Sequence, residues 1–187
     1  QRQLNSTPQY EMLDEKGPDH SKCFEIAVAL GAQGRLIARD TTSNHPDSIT
    51  ALPDVGYVRA LSAEGVLGLG PDLVISDAGA GPAEALDALR AAGVPFVEIP
   101  GEPDPRGVLD RITAVARALD LEAEGAALRA QVAAELAQAE ARAQGVTARQ
   151  SVLFVLALQG GRVMAGGAGT PAEGIIELAG ARNAATG

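Results

Sequence analysis

The chain has no tryptophan and one cysteine, and it is poor in aromatic residues generally, with two tyrosines and three phenylalanines. A single cysteine excludes an internal disulfide and leaves the redox compartment open. Lysine is almost missing. Lys16 and Lys22 are the only lysines, and every Lys/Arg position from Arg35 onward is arginine. Positive charge is scarce overall, with 15 Lys and Arg against 24 Asp and Glu and a net charge of −9. Such a surface repels phosphate backbones, so nucleic acid is not an expected partner. No apolar run reaches the roughly 18 residues of a membrane helix. No charged segment followed by an apolar stretch opens the sequence, and no lipobox surrounds Cys23, so it is read as lacking a targeting signal. The sequence also has no P-loop, no Gly-x-Gly-x-x-Gly after a strand, no nucleophile elbow and no clustered His/Cys/Asp set. An enzyme therefore has no support, and the acidic residues read as solvated helix faces.

What is present suits a packed α/β fold. Of 187 residues 46% are hydrophobic, enough for one domain, or for one full lobe and part of a second. Composition shifts near Glu25 to Val28. The polar, varied opening gives way to an Ala/Gly/Leu/Val-rich remainder that reads as coming from a different source. Gln9 to Asp14 reads as a strand, Gly17-Pro18-Asp19 as a turn, and Ser21 to Val28 as a second strand or as a helix ending at Gly31. Leu36 to Ala38 is a strand, and the polar Asp40 to Pro53 a surface loop. Ser62 caps a short helix. Leu73 to Ser76 is a buried strand. Pro82 opens a helix with Ala85, Leu86, Leu89 and Ala92 on one face. Gly93 ends that helix, and Val94 to Ile99 is the next strand. This alternation predicts a parallel sheet covered by helices.

Beyond the Pro100 to Pro105 loop a helix carries Val108, Ile112, Val115, Ala116 and Leu119 on one face. After a break at Asp120-Leu121 a second helix follows to about Gln144, with Leu128, Val132, Ala133 and Leu136 as its stripe. Val152 to Leu158 reads as one strand, Gly160-Gly161 as a hairpin turn, Val163 to Ala165 as its return strand, and Thr170 as the cap of a last helix to Leu178.

Three stretches agree in order and spacing: Arg39-Asp-Thr-Thr-Ser43, the run from Leu52 to Ile75 around Gly56-Tyr57-Val58-Arg59, and Gly160 to Thr170. Over residues 27–187 the chain resembles the periplasmic haem-binding proteins of bacterial haem-uptake ABC importers. The resemblance implies the class III, helical-backbone periplasmic-binding-protein fold. It divides the chain into an α/β lobe at 27–104, backbone helices at 105–146 and the start of a second lobe at 147–187. That second lobe is incomplete, since relatives run further. An exposed apolar patch, weakened haem binding and self-association are expected to follow. The resemblance further implies a periplasmic or cell-envelope location, haem b as the transported ligand and an ABC permease as partner.

The resemblance makes Tyr57 the haem-iron ligand. A phenolate is a hard anionic donor suited to ferric iron, and Tyr is an established axial ligand. A free Tyr is neutral at pH 7, so something must favour the anion. Arg59, two residues on along an extended segment, lies on the same side and can hydrogen-bond the phenolate oxygen. The bland alternative is a half-buried aromatic beside a solvated arginine. Arg39, Thr41 and Thr42 follow a strand's C-terminal end, where α/β sheets place ligands. They either sit beside the haem or belong to a turn stabilised by the Asp40 and Thr41 side chains. Gly79 to Gly81 and Gly166 to Gly169 would let backbone approach the porphyrin, with Gly169 counted among the haem-supporting residues. Met164 touches the macrocycle or belongs to the core. No histidine follows His45, so ligation by Tyr alone is expected, with His45 on a surface loop. By the same resemblance Glu64 docks the permease, which is compatible with a first-turn Glu favoured by the helix dipole.

Residues 1–26 resemble another family. Pro8 to Glu25, with Gly17-Pro18-Asp19-His20, is similar to the first two strands of a ribonuclease III double-stranded-RNA-binding domain. That family's lysine-bearing second helix is not in this sequence. Phosphate contacts carry most of such affinity, so RNA binding is not expected. The segment is read as a foreign piece in place of a first strand.

Overall fold

The computed structural model describes residues 10–13, 22–100 and 104–185. Packing divides the chain into two units, Gln1–Gly101 with Arg111–Ala126, and Glu102–Asp110 with Ala127–Gly187.

The first unit is a parallel sheet with helices. Its elements are β1 (Tyr10–Leu13), α1 (Lys22–Ala29), β2 (Leu36–Arg39), α2 (Ala63–Gly68), β3 (Leu73–Asp77), α3 (Ala83–Ala91) and β4 (Phe96–Ile99). The strand order is β2-β1-β3-β4, all parallel. All five residues of β3 are buried, as expected of an interior parallel strand covered on both faces. On α3, Ala85, Leu86 and Leu89 are buried and join Val58, Leu61, Val66 and Val74 in one cluster.

The opening segment takes the helical alternative that its Ser21 to Val28 stretch offered beside a strand. Cys23, Phe24 and Ala27 are fully buried and Leu30 nearly so, which is helical spacing, and the chain winds as α1. Its first half, β1, is hydrogen-bonded on both sides within the sheet, to β2 and to β3. The Gly17 to His20 loop lies outside the described residues, as does part of the Pro100 to Pro105 connection.

The next helices are α4 (Pro105–Ala118) and α5 (Glu122–Gln144). Asp120 between them has φ of 55°, the left-handed conformation that Asp tolerates better than most residues. Ile112, Val115, Ala116 and Leu119 are buried as expected, but Val108 is 44% exposed. The buried face of α4 therefore begins after Val108. Ala116 and Gly125 meet so closely that a Cβ on Gly125 would collide with the Ala116 methyl.

In the second unit the single strand expected over Val152 to Leu158 is two. β5 (Ser151–Val152) pairs in parallel with β8 (Arg182–Asn183), while β6 (Val155–Gln159) pairs antiparallel with β7 (Arg162–Ala165). The two halves serve partners far apart in sequence, and the chain breaks at Leu153-Phe154 to reach both. The β6–β7 turn has positive φ at Gly160 and Gly161, 57° and 75°, the backbone that a two-residue hairpin turn requires. The last helix, α6 (Pro171–Leu178), has Pro171 in its first turn.

Candidate functional site

The carboxyl edge of the first unit's sheet carries the loop that holds Tyr57. Beyond β2 the chain returns beside its own end. Arg39 and Asp54 form a parallel bridge. The Arg39 amide donates to the Pro53 carbonyl, the Val55 amide to the Arg39 carbonyl, and the Thr41 amide to the Gly56 carbonyl, each at 3.0 Å. Gly56 then turns the chain with φ of 97°, a conformation costly for any side chain. Tyr57 follows with extended backbone, and Val58–Ala60 wind as a 3-10 turn. On the far side the Gly81 amide donates to the Val58 carbonyl (3.0 Å) and the Leu61 amide to the Gly81 carbonyl (2.9 Å). Val58 and Leu61 are buried in the core cluster, and half-buried Tyr57 packs against it. Tyr57 thus sits between the loops that follow β2 and β3, fixed on both sides by backbone hydrogen bonds.

A polar network fastens the first of those loops. Asp40 is fully buried. Its Oδ1 accepts from the Ser43 amide (2.9 Å) and hydroxyl (2.7 Å), and its Oδ2 accepts from the Thr42 hydroxyl (2.6 Å). Asn44 donates to the carbonyls of Thr41 and Thr42. Arg39 Nη1 donates to the Asp40 carbonyl (3.1 Å) and lies 3.5 Å from Asp54 Oδ2. Asp54 Oδ1 accepts from the Thr41 hydroxyl (3.1 Å) and the Gly56 amide (2.8 Å). The structure therefore brings Arg39 and Thr41 to the Tyr57 loop, and it commits Thr42, 6% exposed, to Asp40. The expectation of a plain surface loop over Asp40 to Pro53 fails here. Buried carboxylate bonding draws Asp40, Thr42 and Ser43 inward, and Ile49 of the 3-10 turn Asp47–Ala51 is buried as well.

Arg59 departs from the expected local geometry. It lies in the 3-10 turn, so the same-side alternation of an extended segment does not apply, and it is exposed. Glu64 is exposed in the first turn of α2, whose N-cap Ser62 accepts from the Gly65 amide at 3.2 Å. His45 is exposed.

Met164 and Gly169 belong to the second unit. Met164 is 54% exposed on β7. Gly169 has φ of 73°, and its amide donates to Glu173 Oε2 at 2.7 Å. The nearby glycines serve the start of α6. A Cβ on Gly166 would lie 2.6 Å from the Ala172 Cβ, and the Thr170 hydroxyl donates to the Gly167 carbonyl at 2.7 Å.

One charged pair at this sheet edge was not foreseen. Asp77, the last residue of β3, has Arg111 Nη1 at 3.2 Å, and both side chains are 9% exposed. The Cys23 thiol donates to the same Asp77 oxygen at 3.2 Å. Asp54 also escaped sequence reasoning, although Asp two residues before Gly is a pattern whose side chain bonds nearby backbone. Asp40 is the turn-holding side chain that the alternative reading of this loop expected.

A family model described as periplasmic binding protein matches residues 20–187. It begins inside the stretch read as foreign. The apo form of the periplasmic heme-binding protein RhuT from Roseiflexus sp. RS-1 superposes with a TM-score of 0.86 at 35% identity, covering 95% of this chain and 66% of that one. The periplasmic heme-binding protein HutB of Vibrio cholerae gives a TM-score of 0.86 at 33% identity, covering 97% and 67%. The vitamin B12-binding protein of Yersinia pestis (strain Pestoides F) is 35% identical over 72 residues, which are 38% of this chain and 26% of that protein. The chain thus spans about two thirds of the solved structures, and its matched stretch about a quarter of the curated relative.

Proposed function

The chain belongs to the periplasmic binding protein family, and from that premise we propose that it binds haem as cargo, with Tyr57 as the iron ligand, for delivery to an ABC importer permease in the cell envelope. The fold is the α/β, class III fold of that family, whose members are carriers rather than enzymes. The observation that carries the haem reading is the setting of Tyr57. A half-buried phenol stands at the carboxyl edge of a parallel sheet, on a loop bonded to its neighbours on both sides. That edge is where open α/β sheets take ligands, and a phenolate is a suitable donor to ferric iron.

In this reading Tyr57 supplies the bond to iron. Arg59, exposed in the 3-10 turn that follows, adds a cation to the same loop. Arg39 and Thr41 hold the loop from beneath. Exposed Glu64 offers a carboxylate for docking an arginine of the permease. The likeness to two solved haem-binding proteins at 33–35% identity over nearly the whole chain is in keeping with a haem cargo.

A corrinoid is the second reading, favoured by the 72-residue match to a vitamin B12-binding protein. Titration separates the two. Ferric haem added to the chain is expected to give a high-spin ferric tyrosinate spectrum that Tyr57→Phe abolishes, with cyanocobalamin unable to compete. An unchanged spectrum in Tyr57→Phe would sink the ligand assignment. Competition by cyanocobalamin, without the tyrosinate band, would favour the corrinoid.

A further inference from the structure

We propose that Asp54 is the positioning residue for the Tyr57 ligand loop, an inference that rests on the reading of Tyr57 as the iron ligand. Asp54 gathers donors from both sides of the turn that delivers Tyr57. Its Oδ1 accepts from the Gly56 amide at 2.8 Å and from the Thr41 hydroxyl at 3.1 Å. Its Oδ2 faces Arg39 Nη1 at 3.5 Å.

The Gly56 bond closes an Asx turn over the residue with φ of 97°, and it thereby sets the direction in which the next residue leaves. The Thr41 and Arg39 contacts tie that turn to the loop after β2, which is itself bonded to buried Asp40. Arg39 is 12% exposed and Asp54 39%, so the cation is held nearly inside while the carboxylate remains at the rim. Hydrogen bonds to a charged acceptor are stronger than neutral ones, and two donors with a cation beside them on one carboxylate hold a short turn in place. A ligand to a metal must be held to within a fraction of an ångström for a strong bond. The geometry therefore gives Asp54 a role through Tyr57 rather than one in contact with the cargo.

The test compares Asp54→Ala, Asp54→Asn and Tyr57→Phe with the parent chain. Ferric haem is the probe, read by the tyrosinate charge-transfer band and by the rate of haem transfer to apomyoglobin. Asn keeps an Oδ1 acceptor for Gly56 and Thr41, so Asp54→Asn is expected to retain the band and release haem at close to the parent rate. Asp54→Ala loses every acceptor and is expected to shift or weaken the band and to release haem roughly tenfold faster. Its circular dichroism and urea midpoint should stay close to the parent's. Rescue by Asn is the signature that general destabilisation would not produce. A parent-like band and release rate in Asp54→Ala, alongside a lost band in Tyr57→Phe, overturns the role of Asp54 and leaves the ligand assignment standing. A band retained in Tyr57→Phe overturns the ligand assignment instead. Asp54 is then judged on the ligand-free protein by amide exchange at Leu61 and Gly81, whose bonds fix the far side of the loop. Faster exchange in Asp54→Ala supports positioning, and unchanged exchange overturns it.

Discussion

Single residues at the sheet edge hold charges that are expensive to leave unpaired. Asp77 and Arg111 face each other at 3.2 Å with both side chains nine-tenths buried. Taking two ions out of water costs several kcal/mol each, and mutual attraction offsets that cost only while both are present. Removing one partner leaves a buried, unmatched charge. Arg111→Ala is therefore expected to lower unfolding stability by about 3 kcal/mol or more, measured as a fall in the urea midpoint at an unchanged slope. A loss under about 1 kcal/mol would mean that the pair is solvated as a surface pair is. Because the charges are screened little at this depth, the loss should persist at high salt. Of the residues on this edge, Tyr57 and Arg39 could be singled out from sequence. Asp77 could not, because nothing local marks the arginine thirty-four positions away as its partner.

At the scale of elements, close approach between helices sets the sharpest requirement. α4 and α5 touch at Ala116 and Gly125 with no space for another methyl group. Alanine is about 1 kcal/mol better than glycine inside a helix, so propensity alone predicts that Gly125→Ala stabilises. The collision predicts the opposite, because the Ala116 Cβ is fixed to its helix and cannot rotate away. Gly125→Ala is expected to cost about 1–3 kcal/mol in chemical denaturation. The double variant Gly125→Ala, Ala116→Gly should recover part of that loss, and equal stability of the single variant and parent would show that the helices shift freely. The helices themselves were legible from their apolar periodicity, and Asp120-Leu121 was correctly read as the break. Val108 was misplaced because a period gives the face of a helix but not where along it burial begins.

For the molecule as a whole, the second unit leaves apolar side chains in water. Leu153, Leu156, Val163 and Met164 are 49–54% exposed around the β6–β7 hairpin, and Leu158 is 74% exposed. An apolar surface of this kind on a two-stranded hairpin invites association, and the net charge of −9 opposes it. The expected result is concentration-dependent association that strengthens as salt screens the charge, followed by size-exclusion chromatography with light scattering. The double change Leu156→Glu, Leu158→Glu should weaken it. A single monomeric species at all concentrations and salts would refute the expectation.

The sequence by itself determined the alternation of short strands and helices in the first unit, the hairpin turn at Gly160-Gly161, the helix break at Asp120 and the tyrosine worth testing. These are local properties: side-chain period, turn chemistry and capping act over a few residues. Only the tertiary structure decided which strands pair. It placed Tyr10–Leu13 between β2 and β3 and divided Val152 to Leu158 between two partners. It also decided that Thr42 bonds inward to Asp40, and that Asp54 ties the loop after β2 to the turn before Tyr57. Those outcomes depend on which groups are buried together, and burial is a property of the folded chain that no short window of sequence contains.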